Sequence, residues 1–588
     1  MQGFVRRAKG AHSVRQPSLR VRNGSTATVF LGVNPSLSPL DAIFIGNQGG
    51  LIATPTDIYD ASTLSSTPIF SGTIYDRPVV SRAPFDEGLS ENFGVFLTIP
   101  QTAFTVLQRR VTSTGLVPWG IAKPGSGPTA ADGGAGALPA GTYKYKVTFV
   151  NTATGTESNP HDAEVSVTIG ASRQISLTNI PTSSDTQVNQ RRIYRTSAGG
   201  ALYFFLTQIN DNSTTSLTDN ITTLQSDLIK FDNDPPEDTY RFHWWSHTTN
   251  RMWWCNNRTL SSIGLNRVFY SGAGRPESVS GFVNIGGTDT PLVGLEWRER
   301  NWVFGYEGVW RIDGQTEPFQ PTILNDVPGI HLDGRDTVVA TPYGIFYRSN
   351  DENVYLFNGQ QAIPVGLEVI EAISKFRDPT QSSTQNVEGL APSGWKTAHF
   401  FRNELFISDG AYQAQSTTVD GSETIAYHIP SKAFRTLGFG VKAFDHDRQD
   451  NLFASFNGNV ARLESTASLP VGTSGQLTDL GQGIPFEWEV GGHLSDISQN
   501  AILQRVYLDI NTRGVAVTPQ IIFENDDTNP VTFSTLSTTS RQMVEFNVGR
   551  TCRVFSVRLS GDANAVVELY GVEADVYIPG SDPSPGRG

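Results

Sequence analysis

Apolar and polar positions alternate with a period of two in the segments 137–223 and 483–578, a pattern that predicts β-strands. The clearest case is residues 141–150, GTYKYKVTFV, where apolar side chains take every second position from 143 to 149. Such alternation gives a strand one face for a core and one for solvent. A helical period is predicted for residues 367–376, where Leu367, Ile370 and Ile373 share a face before Pro379 ends the segment.

A short aromatic strand that runs into a polar-glycine turn recurs in the middle of the chain. VWRIDG occupies residues 309–314 and VYLFNG occupies residues 354–359, 45 positions later. Looser echoes are IAYHIP at 425–430 and LFASFNG at 452–458. A period of about 40–50 residues made of short strands is typical of one blade of a β-propeller. The repeat therefore predicts a propeller.

Two further β modules flank the repeat. About seven short strands in residues 137–223 predict an immunoglobulin-like or fibronectin type III-like sandwich, and the absence of cysteine there favours the fibronectin type. The predicted fold class is all-β: a β-propeller with an inserted fibronectin type III/Ig-like sandwich and a C-terminal β-sandwich. The predicted segments are a basic N-terminal arm (1–23), a β region assigned to the propeller (24–122), a Gly/Pro linker (123–136), the insert (137–223), propeller blades (236–468), the C-terminal sandwich (483–578) and a disordered tail (579–588).

Composition supports a β-rich protein with many turns. Charged residues make up 17% of the 588 residues, beside 57 glycines and 10% aromatic residues, whereas disordered chains are charged and poor in aromatics. The formal net charge of −13 argues against a surface that grips nucleic acid throughout, and it is compatible with a conduit along which DNA slides. The chain has no apolar run long enough for a membrane helix and no secretory signal, so we expect it to be made in a cytoplasm.

Candidate metal ligands are weak. His243 and His247 have the spacing of two ligands on a helix, but the tryptophans between them predict a strand, on which they would lie about 13 Å apart. The clusters Asp445-His446-Asp447 and Asp526-Asp527 resemble cation ligands, yet acids in turns usually cap the backbone. The closing Glu of a calcium loop is also missing. The sequence therefore predicts no metal site and no cofactor.

Catalytic motifs are also missing. The chain has no nucleophile elbow, phosphate loop, zincin motif or dinucleotide fingerprint, which predicts that it is not an enzyme. A glycoside hydrolase with two paired catalytic carboxylates stays an open alternative, because such residues are close in space and need not be close in sequence. Cys255 and Cys552 are predicted to be buried free thiols.

Two groups of residues are candidates for interfaces. The first is a basic arm without acids, which would dock on an acidic neighbour or on nucleic acid, or else fray in solvent: Arg6, Arg7, Lys9, Arg15, Arg20 and Arg22. The second is a set of aromatic anchors for the core or an interface, which could also stack on sugars: Trp244, Trp245, Trp253, Trp254, Trp302 and Trp310.

The blade phrases resemble those of the tail nozzle and hub proteins of short-tailed bacteriophages. The resemblance covers roughly residues 120–465, including the insert that follows a Gly/Pro linker. It is carried by the phrases NWVFG at 301–305, VWRI at 309–312, DGRDTVVATPYGIF at 333–346, FNG at 357–359 and IPVG at 363–366.

This resemblance implies a structural virion protein without catalytic residues. The family forms a six-fold ring below the portal and adaptor, conducts double-stranded DNA out of the capsid and carries tail fibres. The expected location is the phage tail, assembled in the host cytoplasm. Two alternatives stay open: a propeller-type glycoside hydrolase, and a receptor-binding adhesin for host surface polysaccharide.

Overall fold

The computed structural model of the chain is built almost entirely of antiparallel β-sheets, which confirms the predicted all-β fold. The predicted helix at 367–376 and the tail at 579–588 lie outside the residues that the structure describes. Those residues are 4–9, 11–13, 19–21, 26–27, 42–44, 50–54, 56–60, 67–85, 93–102, 104–112, 115–257, 265–331, 334–351, 353–365, 397–408, 424–436, 441, 443–446, 452–456, 459–463, 478–479, 482–493, 501–524, 526, 528–563 and 567–577.

Four short strands open the chain, and none of them forms a sheet of its own. They are β1 (Phe4–Lys9), β2 (Ala11–Ser13), β3 (Leu19–Val21) and β4 (Thr26–Ala27).

Seven groups of four antiparallel strands follow within the described residues, and we number them blades 1–7. Six of them are separate four-stranded sheets, whereas the strands of blade 6 continue through β1, which is parallel to the last of them, into a ten-stranded sheet. Blade 1 is β5 (Ala42–Phe44), β6 (Leu51–Ala53), β7 (Asp57–Asp60) and β8 (Phe70–Ser71). Blade 2 is β9 (Val79–Pro84), β10 (Phe93–Pro100), β11 (Val106–Thr112) and β12 (Gly115–Pro118). The insert then interrupts the series. Blade 3 is β20 (Tyr240–Ser246), β21 (Arg251–Asn257), β22 (Arg267–Gly272) and β23 (Arg275–Asn284).

The remaining blades follow one another directly. Blade 4 is β24 (Pro291–Trp297), β25 (Arg300–Gly305), β26 (Gly308–Asp313) and β27 (Gln320–Pro328). Blade 5 begins after a 3-10 helix (Arg335–Thr337) and is β28 (Val339–Ala340), β29 (Ile345–Arg348), β30 (Val354–Phe357) and β31 (Ala362–Pro364). Blade 6 is β32 (Thr397–Phe401), β33 (Glu404–Ser408), β34 (Thr424–His428) and β35 (Ala433–Thr436). Blade 7 is β36 (Ala443–His446), β37 (Leu452–Phe456), β38 (Asn459–Leu463) and the N-terminal β4.

The blades close into a ring. Each neighbouring pair from blades 1–2 to blades 6–7 shares a buried apolar cluster, and β36 of blade 7 contacts β5 of blade 1. The first strand of each blade is innermost, since β9 contacts β20, β20 contacts β24 and β32 contacts β36. Strand β4 pairs with β38 and completes blade 7, so both ends of the propeller segment hold one sheet together.

The repeated phrases mark matching strands. VWRIDG overlaps β26, VYLFNG overlaps β30 and IAYHIP overlaps β34, each the third strand of its blade, whereas LFASFNG overlaps the second strand β37. The first three occupy the same place because a third strand is packed between two neighbours and against the next blade, which favours aromatic and branched side chains.

The insert is a sandwich of seven strands: β13 (Thr129–Leu138), β14 (Gly141–Val150), β15 (Val165–Ile169), β16 (Arg173–Thr178), β17 (Gln190–Arg195), β18 (Phe204–Ile209) and β19 (Leu217–Asp219). One sheet has the order β13-β16-β19 and the other β15-β14-β17-β18. They enclose a common core that includes Tyr145, Val147 and Ile193.

The linker expected at 123–136 is partly wrong, because β13 begins at Thr129 and pairs with β16. Composition gave a wrong prediction here because the hydrogen bonds between paired strands join backbone groups and need no bulky side chains. A Cβ at Gly136 would lie 2.6 Å from the backbone nitrogen of Gln174, so the small residue is what permits this close, bulged pairing.

The C-terminal sandwich contains β39 (Thr478–Asp479), β40 (Gln482–His493), β41 (Ala501–Asn511), β42 (Thr518–Phe523), β43 (Val531–Thr532), β44 (Gln542–Cys552), β45 (Val554–Ala563) and β46 (Glu568–Tyr577). One sheet runs β40-β45-β42-β43 and the other β46-β41-β44, over a core that includes Trp488 and Leu508. Strand β1 joins the first sheet beside β40 and also meets β35 of blade 6, while β3 joins the second sheet beside β46.

Candidate functional site

Charged residues at the axis of the propeller form a network that crosses between blades. The segment before β9 contributes Asp76, whose Oδ2 lies 3.3 Å from Arg241 Nη2 of blade 3. The same oxygen lies 3.3 Å from Arg335 Nη1 of the 3-10 helix that leads into blade 5. One carboxylate that reaches blades 3 and 5 must lie close to the axis, because blade 4 separates these two blades around the ring.

Arg77 extends the network to blade 6. Its Nη1 donates to Thr397 Oγ1 in β32 at 2.9 Å, and its carbonyl oxygen accepts from Arg335 Nη2 at 2.9 Å. The side chain is buried, which lowers the pKa of Arg77, although Asp336 and other carboxylates act in the opposite direction. Burial also acts to lower the pKa of Arg335, but Asp336 and Asp76 outweigh it and raise that pKa.

A second polar group lies on the innermost strands of blades 6 and 7. His399 in β32 and Asp445 and His446 in β36 have their ligand atoms within 4.8 Å of one another. The sequence indicated Asp445 and His446 as candidates. It did not indicate His399, Asp76, Arg77 or Arg335, because these residues are far apart along the chain and come together only when the blades close into a ring. Asp447 lies outside the described residues.

The six predicted tryptophan anchors are all buried in blades 3 and 4. Four of their indole nitrogens donate to oxygens at 3.0–3.1 Å: Trp244 to Asn301, Trp253 to Thr249, Trp302 to the carbonyl of Trp297, and Trp310 to Asp289. Their rings fill the clusters between neighbouring blades, including that of blades 2–3, where Trp254 and Trp245 lie.

His243 and His247 do not come together as a pair of ligands. His243 is buried in β20 with Nδ1 2.9 Å from Thr98 Oγ1 of blade 2, and burial lowers its pKa to about 3. His247 lies in the turn after β20, where its backbone nitrogen donates to Glu296 of blade 4. The sequence placed both histidines on one strand, but β20 ends at Ser246 and His247 lies beyond it.

An open cleft of about 490 Å³ lies beside that turn. It is lined by Ser81, Arg82, Trp244, Trp245, His247, Leu295, Glu296, Arg298 and Glu299. Glu296 accepts from the backbone nitrogen of Thr248 at 3.1 Å and from its hydroxyl, so this carboxylate holds the turn.

The basic arm is built into the sheets. Arg6, Arg7 and Lys9 lie in β1 and Arg20 lies in β3, strands that pair with the chain's own C-terminal sandwich. Arg15 and Arg22 lie outside the described residues. Docking of this arm on another molecule stays a prediction.

The remaining candidates are surface turns and core thiols. Asp526 accepts from the backbone nitrogen of Thr528 at 3.0 Å and caps its own turn, and hydrogen bonds from Thr528 lower its pKa. Asp527 lies outside the described residues. Cys255 and Cys552 are free and buried, as predicted, and burial raises the pKa of both thiols.

No family model matches the chain, and no curated protein matches it. Among solved structures, the WD40 domain of Neurospora crassa Pan2 is 11% identical with a TM-score of 0.27, over 80% of this chain and all of that one. The β-propeller domain of the trilobed protease of Pyrococcus furiosus is 8% identical with a TM-score of 0.22, over 59% of this chain and 99% of that one. An exo-β-1,3-galactanase of Phanerochaete chrysosporium is 8% identical with a TM-score of 0.15, over 76% of this chain and all of that one.

At these TM-scores the likenesses do not identify the fold, and the propeller is recognised from the sheet order and the shared clusters of the blades themselves. Among the described residues, no helix has the length and apolar character needed to span a membrane.

Proposed function

We propose that the chain is a structural virion protein: a subunit of the tail nozzle or hub of a short-tailed bacteriophage. In this role it forms a homohexameric ring, conducts double-stranded DNA without reading its sequence and anchors tail fibres. The arm at 1–23 faces the adaptor on the portal side. The proposal comes from the resemblance of residues 120–465, and the architecture supports it.

The structural observation that best supports the proposal is the ion-pair network at the propeller axis. Asp76 forms ion pairs with Arg241 and Arg335, and Arg77 donates to Thr397, so polar and charged groups from several blades are linked to one another. Buried charges held by partners resist rearrangement, because removing a partner leaves an uncompensated charge. A propeller held in this way is rigid. Identical rigid subunits form a closed ring when the rotation from each subunit to the next returns to the first subunit after a full turn.

The net charge of the chain is compatible with a DNA conduit at the centre of a ring of subunits. Each chain carries a formal net charge of −13, and six copies placed around a channel would give it a strongly anionic surrounding. An anionic wall repels phosphates, so DNA passes without sticking.

The test is electron microscopy and native mass spectrometry of the purified chain, alone and with its adaptor and portal partners. We expect a six-fold ring with a central channel wide enough for duplex DNA. A monomer in every sample would overturn the proposal. A ring with a basic lumen would overturn the part of the proposal that concerns the passage of DNA.

The cleft beside blades 3 and 4 favours a second candidate, binding or hydrolysis of host polysaccharide. Its volume of about 490 Å³ lies in the usual range of ligand pockets, and it brings Trp244 and Trp245 near Glu296 and Glu299. A glycan array and a hydrolysis assay on capsular and lipopolysaccharide glycans test this candidate. Binding that Glu299→Gln abolishes would support it, and no binding or hydrolysis with any glycan would remove it.

A further inference from the structure

Two histidines and an aspartate meet where the innermost strands of blades 6 and 7 run side by side. His399 Nε2 lies 2.9 Å from His446 Nδ1, and a carboxylate oxygen of Asp445 completes a group of ligand atoms within 4.8 Å of one another. We propose that these three side chains bind a divalent transition-metal ion, Zn²⁺ in the first instance, which fastens blade 6 to blade 7.

The ligand set selects the kind of ion. Two imidazole nitrogens and one carboxylate suit zinc and its neighbours, whereas calcium and magnesium take oxygen ligands. Zinc–nitrogen bonds of about 2.0–2.1 Å in a tetrahedron place two ligand nitrogens about 3.3 Å apart. The observed separation of His399 and His446 nitrogens is within a few tenths of an ångström of this value, so a small ring rotation admits the ion.

Core aromatic residues hold the ligands in place. The ring of His399 is nearly parallel to that of Phe444, with centroids 6.4 Å apart, and the ring of His446 lies 5.9 Å from that of Phe401. Both phenylalanines are buried in the cluster that blades 6 and 7 share. Asp445 Oδ1 accepts from the backbone nitrogen of His446 at 2.8 Å. Ligands mounted on packed side chains need little ordering when the ion binds.

Solvent access completes the site. His399 and Asp445 are half-buried and His446 is exposed, so an ion can enter from water and retain a water molecule as its fourth ligand.

The neighbouring charge that opposes a cation is Arg77. The carboxylates of Asp336 and Asp445 act to raise the pKa of Arg77, against the effect of burial, which lowers it. A cation that is held only by attraction to negative charge would therefore bind weakly next to the positive charge of Arg77. An ion with strong intrinsic affinity for imidazole does not depend on that attraction, which again favours zinc.

The experiment uses the full-length chain without a histidine tag, stripped with a chelator and then titrated with Zn²⁺ by isothermal calorimetry. We expect one equivalent of zinc to bind and to remain after gel filtration, as measured by elemental mass spectrometry. Co²⁺ in its place should give visible absorption bands of a low-coordinate nitrogen and oxygen site. Zn²⁺ should also raise the Tm of the stripped protein.

The variants are His446→Gln, His399→Gln and a matched control, His428→Gln. His428 lies in β34 of blade 6, contacts Ser431 and is not a member of the ligand cluster. The first two should lower the Zn²⁺ affinity at least about tenfold and remove the Co²⁺ bands, because each deletes a metal ligand. His428→Gln should leave both unchanged.

Equal zinc binding by the parent chain and His446→Gln would overturn the proposal, as would no binding by the parent. Because His446 is exposed, its variant should fold, which circular dichroism verifies, so the test stands even if His399→Gln does not fold. The outcome is independent of the proposed virion role, since it depends on neither ring assembly nor glycan binding.

Discussion

The two β-sandwiches of this protein are built in different ways. The insert takes all seven strands from one continuous stretch, residues 129–219. The C-terminal sandwich instead receives β1 in one sheet and β3 in the other, strands from the opposite end of the chain. A local module closes short loops, whereas a module completed from the other terminus must bring distant segments together. We therefore expect the insert to form early and alone, and the C-terminal sandwich to require strands from both ends of the chain.

Deleting residues 1–22 should have the largest effect on this contrast. Because β40 and β46 would each lose a neighbouring strand, we expect the C-terminal sandwich to lose about 5 kcal/mol or more, comparable with the stability of a whole domain. Hydrogen-exchange mass spectrometry resolves both sandwiches in one sample. Unchanged protection of β40 and β46, or an equal loss in the insert, would contradict the contrast.

Asp219→Ala should instead weaken the insert. The carboxylate is fully buried, accepts from Arg195 Nη1 at 2.5 Å and accepts from the Tyr145 hydroxyl at 2.6 Å. Removing it leaves a buried guanidinium uncompensated, which costs about 3–5 kcal/mol. Local exchange rates in β14 and β17 measure this loss.

The matched control is Asp132→Ala in the same sandwich. Asp132 pairs with Arg173 at the surface, where both side chains are more than a third exposed. Such pairs contribute little to stability, because water and salt screen them. A similar cost for the two substitutions would show that burial of the pair at Asp219 has no special weight.

Acid should destabilise the insert through His161. This side chain is buried, and burial together with the Lys146 charge lowers its pKa from 6.5 to about 4. As the pH falls, the unfolded chain therefore takes up a proton before the folded insert does. The contribution of neutral His161 to the free energy of unfolding is present in full above pH 6.5 and is lost as the pH drops towards 4. The shift corresponds to roughly 3 kcal/mol. The slope of insert stability against pH, from exchange corrected for intrinsic rates, should flatten in His161→Phe; an identical slope would refute the assignment.

Thr538→Val should have a smaller effect than the loss of a buried charge, in the C-terminal sandwich. Thr538 Oγ1 accepts from the backbone nitrogen of Thr512 at 2.8 Å, and both residues are buried. The isosteric change leaves that nitrogen without its acceptor, at a cost of about 1–3 kcal/mol. Thr532→Val, at an exposed residue bonded to Gln520, should cost less, and urea titration of both variants compares them. The reverse order would show that this buried bond is not needed.

Much of the fold could be predicted from local pattern. The strand GTYKYKVTFV became β14, because its alternating side chains have one face to bury. The phrases at 309–314 and 354–359 mark equivalent strands of neighbouring blades, because equal surroundings select similar residues. The linker prediction failed at β13, where a strand of small residues is held by backbone bonds that composition does not reveal.

The candidate sites were predicted less well. Asp445 and His446 stood out as neighbours in sequence, but His399 is on another strand and becomes relevant because blades 6 and 7 pack together. Asp76, Arg77 and Arg335 carry no motif, since charged residues are ordinary in turns and gain their role by burial at the axis.

The sequence by itself determined that this protein is all-β, that blade-like units repeat in it and that a sandwich interrupts them, because these properties follow from spacing between nearby residues. The tertiary structure decided the number of blades seen in the described residues, the closure of blade 7 by β4, the pairing of β1 and β3 with the C-terminal sandwich, and the charged and histidine clusters at the axis. These features join residues far apart in the chain, and such contacts depend on how whole sheets pack rather than on any local pattern.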